Sequence, residues 1–438
     1  MNIRALLIIA MLTVIPLQAG TPVGAQGRMG TPGGPPMQTG MPAGFPGPGT
    51  IPERGSPNTG EGRSTAAQFG MERASAAQAP EVHLAKPEAD RAADRMRASP
   101  GDYELDQNGA LAISGEILAS DLTATQLNRV KRAGFAVLRQ STIEGLGTTI
   151  TVISRPGLSA SQGLKLLRKI DPQGNYDLNH VLFESGLSQA GPTASAKTAS
   201  LEGRGAVVGL IDSGVANTVD RAPNVRVTRR AFAPGGGTAA LHGTAVAQLL
   251  ARHSGRVTIF AADIFGIGPR GGTTEQLLQA LGWLASERVP VINVSMVGPP
   301  NALVAGVVAR FIDHGFIIVA PVGNDGATAR LLYPASYPGV IAVSASGADG
   351  RLLPEASRVK RVDFVALGIA TVFDAAGHAT TVRGTSFAAP VISRELADRI
   401  AYPDPVLSRK ATVGLRRSAV MPKADRPWFG SGLIAAAN

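Results

Sequence analysis

The chain has 438 residues, a net charge of +10, 44% hydrophobic and 5% aromatic residues, and no cysteine. That length accommodates two to three domains with a sizeable core, and the missing thiols exclude disulfides and thiolate-metal sites. The basic residues form no cluster interleaved with aromatics, so nucleic acid is not an expected partner.

Residues 1–25 read as an export signal. Met1–Arg4 supplies a positive start, and Ala5–Leu17 an apolar run shorter than the about 20 residues a membrane span needs. Val23 and Ala25 then suit cleavage before Gln26, with Ala19 as a second candidate. A secreted or periplasmic protein without a stable membrane anchor is expected. Residues 26–100 combine a Gly/Pro-rich segment, with too little apolar periodicity to offset ordering entropy, and a charged, solvated helix over Glu81–Ala98.

Residues 108–183 read as a small α/β unit. Strands are expected at Leu111–Leu118, Phe135–Leu138, Thr148–Ile153 and Asn175–Phe183, and helices at Thr125–Ala133 and Ser159–Ile170. The order β-α-β-β-α-β is ferredoxin-like. Residues 184–202 are Ser/Ala/Gly-rich, the composition of an exposed and cleavable linker.

Residues 203–438 alternate continuous apolar strands with helical patterns. The strands are Ala206–Ile211, Val257–Ile264, Val289–Ser295, Phe316–Ala320, Val340–Ser344 and Asp363–Ala366. Continuous apolar runs suit a parallel sheet buried on both faces. Helices are expected at Thr273–Ser286, opened by a Thr273/Gln276 capping box, and at Ala302–His314. This is an α/β, doubly wound, mainly parallel sheet, whose active sites form at the carboxyl ends of strands.

Three motifs carry the chemistry. Asp212 ends an apolar strand and precedes Ser213-Gly214; His242 lies in Leu241-His242-Gly243-Thr244; Ser386 lies in Gly384-Thr385-Ser386-Phe387-Ala388-Ala389-Pro390. Amide hydrolysis needs a nucleophile, a general base and a group that orients the base, and these three side chains can fill those roles. Gly384 permits a tight turn, and Ser386 would sit at a helix N-terminus, with Pro390 in the first turn. His253 reads as solvated, His314 as a helix cap and His378 as a turn residue, and no histidine pair has metal-ligand spacing.

The Asp, His, Ser order and the Gly-Thr-Ser-x-Ala-x-Pro stretch resemble the subtilisin-like serine proteases over roughly Gly203–Asn438. The resemblance implies an exported, self-processed serine endopeptidase working through an acyl-enzyme, with protein or peptide substrates. It makes Asn324 the oxyanion-hole amide and Ser295, Met296, Val297 and Gly298 the strand that pairs with substrate. Val297 stands where many relatives have Gly, and Pro321 and Val322, before Gly323, where they often have Ala; this implies a reduced pocket for small or medium apolar side chains. Phe387 replaces a frequent Met, which removes an oxidation site. No calcium loop interrupts Thr244–Ala251, and no metal or cofactor is expected. The 108–183 unit resembles the family's propeptide, so the chain's own propeptide-like domain becomes an expected partner. Two alternatives are a non-catalytic binding or scaffold protein that kept the fold, and an esterase or lipase. Ala388, where a lipase-type elbow has Gly, speaks against the second.

Overall fold

The computed structural model describes residues 86–190, 205–252, 255–268, 270–422 and 426–435. The expectations for residues 1–85, for the linker beyond Ala190 and for His253 lie outside the described residues.

The first part comprises α1 (Glu88–Ala98), β1 (Tyr103–Leu105), β2 (Leu111–Ser120), α2 (Ala124–Arg132), β3 (Ala136–Ile143), β4 (Thr148–Ser154), α3 (Ala160–Ile170) and β5 (Asn175–His180). Its main sheet runs β5-β2-β4-β3, all antiparallel, with β1 folded back on the start of β2. Capping boxes at Thr123/Gln126 and Ser159/Gln162 start α2 and α3. Alternate residues serve opposite faces. Ile117, Ala119 and Ile153 pack with Val130, Leu164 and Leu167 beneath the helices, whereas Leu118, Ile150 and Val152 join the core of the second part. Burial of both faces explains why Leu111–Ile113 and Ile117–Ala119 of β2 are apolar at every position.

Helix α1 is solvated on one side only, where Ala89, Asp90 and Arg97 are exposed, whereas the sequence reading left it solvated throughout. Glu88 and Ala92, one turn apart, are 3% and 5% exposed, and Ala92 packs with Tyr103, Val181 and Phe183. Its mean charge concealed a single face that tertiary contacts cover.

The chain then passes through β6 (Phe183–Glu184) and β7 (Leu187–Ala190). These residues do not form an exposed linker: β6 and β7 are each paired into the second part, as described below. The second part contains β8 (Ala206–Asp212), β9 (Val225–Ala231), α4 (Leu241–Ala251), β10 (Val257–Asp263), α5 (Thr274–Ser286), β11 (Val291–Val294), β12 (Met296–Val297), α6 (Ala302–Asp313), β13 (Ile317–Pro321), β14 (Ile341–Ser346), β15 (Phe364–Leu367), β16 (Ile369–Phe373), β17 (Ala379–Arg383), α7 (Thr385–Ala397), α8 (Pro405–Ser418) and β18 (Leu433–Ile434). Eight parallel strands run in the order β18-β15-β14-β13-β11-β8-β10-β9. Helices α5 and α6 cover one face and α4, α7 and α8 the other, which is the doubly wound arrangement. The edge strands β9 and β18 escape a search for apolar runs. β9 carries Arg226, Arg229 and Arg230, and edge strands tolerate such charge. Pro390 lies in the second turn of α7, not the first.

The two parts dock through α5 and α6. Asp177 Oδ2 accepts from Ala302 N (2.6 Å) at the start of α6, and Asn179 Oδ1 from Glu275 N (3.1 Å) at the start of α5. Arg139 bridges Glu116 and Glu275. Each cap contributes about 1 kcal/mol, and a desolvated ion cluster of this kind roughly breaks even. Burial of Leu118, Ile143, Ile150 and Val152, at about 1.5–3 kcal/mol each, therefore dominates the docking, and the polar contacts set its register.

Candidate active site

Asp212 is the last residue of β8, mid-sheet between β11 and β10, so it sits at a carboxyl end, fully buried. His242 is the second residue of α4, and Gly243 is small because a Cβ there would run into the Ser213 carbonyl. Ser386 is the second residue of α7, after Gly384 at φ 138°, a conformation that favours glycine. Three segments far apart in sequence thus converge. His242 Nδ1 lies 2.8 Å from Asp212 Oδ1, and Nε2 lies 3.0 Å from Ser386 Oγ. Asp212 Oδ1 also accepts from Ser213 N at 2.7 Å, which fixes the carboxylate plane. Phe387 packs against the imidazole, ring centroids 5.1 Å apart.

Asn324 is 7% exposed. Its Oδ1 accepts from Thr385 N (2.9 Å) and its Nδ2 donates to Ser185 Oγ (3.1 Å). Ser386 N donates to the Ser185 carbonyl oxygen at 3.2 Å. The backbone N–H of Ser386 and the Asn324 amide therefore both address residue 185 of the chain itself.

The expected substrate strand is occupied by that same segment. Met296 pairs with Glu184 and Val297 with Phe183, antiparallel, and Ser185 N donates to Ser295 O at 3.4 Å. Gly298 pairs with Tyr333 and leaves room for Leu182, which a Cβ would meet. Pro321 and Val322 are held against β14, Val322 N donating to Val343 O, and Gly323 takes a φ of 101°. On the other side of Ser386, Leu187–Ala190 pairs with Thr380–Arg383.

Sequence reasoning missed Glu184. Its carboxylate, Asp212 and His242 offer atoms within 4.8 Å of one another, a spacing that could also hold a metal ion. In the present arrangement the effect is electrostatic. Burial pushes the imidazole of His242 down, but the Asp212 and Glu184 carboxylates outweigh it and raise it to about 9. His180 is buried beside Asn301 (3.1 Å) and Asp106 (3.5 Å). His314 Nδ1 faces the Arg310 carbonyl at its helix end, and His378 lies in an exposed turn beside Asp374.

A parallel doubly wound sheet thus carries an Asp-His-Ser hydrogen-bonded chain at its carboxyl edge, the kind of arrangement that serine hydrolases use, on a subtilisin-like fold. Residues 203–421 match the subtilase family, Peptidase S8, and the chain belongs to that family. It is 30% identical over 142 residues to Minor extracellular protease Epr of Bacillus subtilis, covering 29% of this chain and 21% of that protein. It is 25% identical over 255 residues to M-protease of Shouchella clausii (55% and 66%) and 26% over 256 residues to Subtilisin BL of Lederbergia lenta (55% and 93%). The chain thus spans less than two thirds of the length of both Epr and M-protease. In fold it is similar to fervidolysin from Fervidobacterium pennivorans, a keratinolytic enzyme related to subtilisin, at TM-score 0.61 and 16% identity, over 77% of this chain and 63% of that one. It is also similar to the epidermin leader peptide processing serine protease EpiP of Staphylococcus aureus, at TM-score 0.55 and 15% identity, over 74% and 97%.

Proposed function

We propose that this chain is an exported subtilisin-like serine endopeptidase, made as a self-processed zymogen whose 108–183 unit is a propeptide-like inhibitor. The observation that carries the reading is the Asp212–His242–Ser386 chain of hydrogen bonds at 2.8 and 3.0 Å. Ser386 is the nucleophile. His242 takes its proton as general base and returns it to the leaving amine, and Asp212 orients and stabilises the imidazolium. The N–H of Ser386 and the Asn324 amide stabilise the oxyanion. Occupation of the substrate strand by residues 183–185 supports the inhibitory role, because a cleft that binds its own chain admits no other. Export rests on the positive start and apolar run of residues 1–25; among the described residues no helix is long and apolar enough to cross a membrane.

A fluorophosphonate probe tests the nucleophile. The processed wild-type protein should be labelled at Ser386, and a folded Ser386→Ala protein should not. A processed wild-type protein that resists the probe supports the scaffold reading instead.

A further inference from the structure

We infer that the bond this protein cuts in itself is Ser185–Gly186. This rests on the protease reading above. The chain crosses the candidate site in one extended pass, held on both sides of a single peptide bond. Upstream, Phe183 and Glu184 pair with Val297 and Met296, and downstream, Leu187–Ala190 pairs with Thr380–Arg383. Between them the Ser185 carbonyl oxygen accepts from Ser386 N at 3.2 Å, the position in which an oxyanion would be stabilised. Ser185 is 2% exposed, its hydroxyl held by Asn324 Nδ2. Gly186 has no side chain because a Cβ there would overlap Ser386 Oγ and the Phe387 ring. In the reaction Ser386 Oγ attacks the Ser185 carbonyl carbon while its proton passes to His242 Nε2. The Ser185–Gly186 C–N bond then breaks, and His242 protonates the Gly186 amine. Water hydrolyses the Ser185 ester, restoring the Ser386 hydroxyl and leaving a Ser185 carboxylate.

Mass spectrometry of the purified full chain on incubation should show a new N-terminus at Gly186 and a new C-terminus at Ser185. Gly186→Val, which leaves the triad untouched, should slow the cut by at least about 10²-fold, in keeping with the cost of a small misplacement of reacting atoms. A first cut elsewhere that still requires Ser386 overturns this bond but not the protease reading. An identical cut in Ser386→Ala overturns the protease reading itself.

A separate set of contacts assigns helix α1 the role of a strap over the seated segment. Arg91 donates to the Glu184 carbonyl (2.6 Å) and lies over the Phe183 ring, 4.9 Å from its centroid. Arg95 lies over the same ring at 5.6 Å and donates to Gly271 O at 2.9 Å. The start of α1 is tied to the loop that follows Asn324: Glu88 N donates to Asp325 Oδ2 (3.3 Å), and Arg330 pairs with Glu88 at 2.9 Å. The strap therefore spans the cleft from one wall to the other and grips the segment between them. Once Ser185–Gly186 is cut, these contacts hold the severed end in place and delay activity.

Two clocks on the full chain test this: the cut, read by mass, and the later appearance of peptidase activity. Arg330→Ala, on the protease side, and Arg91→Ala, on the strap, should each shorten the interval between the two about tenfold, as expected for loss of a charge-assisted hydrogen bond. An unchanged interval in both variants overturns the strap.

Discussion

Ser386→Ala should lower the rate of peptide-bond hydrolysis by about 10⁶-fold, the largest effect of any single change in this chain. The rate is read as intramolecular cutting in the purified full chain. The physical reason is that Oγ, at 3.0 Å from His242 Nε2, is the group whose proton the imidazole can take. Because the three residues act as one unit, adding His242→Ala to Ser386→Ala should cost less than about tenfold more. A folded Ser386→Ala protein that cuts at near-normal rate would remove Ser386 from the mechanism. Full additivity of the two substitutions would mean that His242 acts elsewhere.

The second largest effect is expected at Asn324. Asn324→Ala should lower kcat on a peptide by about 10²–10³-fold and leave KM nearly unchanged, because its amide meets charge that exists only in the transition state. The structure adds a competing role, since Asn324 Oδ1 also accepts from Thr385 N, one residue before the nucleophile. The two are separable. Either role lowers the melting temperature, because the substitution leaves Thr385 N without its acceptor, but only loss of an oxyanion donor lowers kcat. An unchanged kcat, or a loss confined to KM, would make Asn324 a turn residue.

Much of the fold was legible in the sequence where local chemistry and tertiary environment agree. The central strands are buried on both faces, so their composition is apolar throughout, and Ala206–Asp212 or Val257–Asp263 can be read directly. The Thr273/Gln276 box marks the start of α5 because its two hydrogen bonds join residues three apart, although Asn179 adds a tertiary contact to Glu275 N that no local pattern records. The edge strand β9 was not legible, because a strand with one solvated side needs no apolar run.

The candidate nucleophile, base and carboxylate were visible as motifs because each needs small neighbours for close backbone approach, and Gly243 and Gly384 supply them. By itself the sequence determined which residue types are available for chemistry and the order of strands and helices that would carry them. Tertiary structure alone decided what fills the cleft. Composition marks Glu184–Ala190 as a linker, yet antiparallel pairing with β12 and β17 draws it past Ser386. Likewise α1 is charged enough to be solvated, and only tertiary partners, among them the Phe183 ring, the Glu184 and Gly271 carbonyls and the Asp325 carboxylate, give its arginines and its N-terminus a place to bind. Backbone pairing and long-range ion pairs depend on partners a hundred or more residues away, and no local pattern records them.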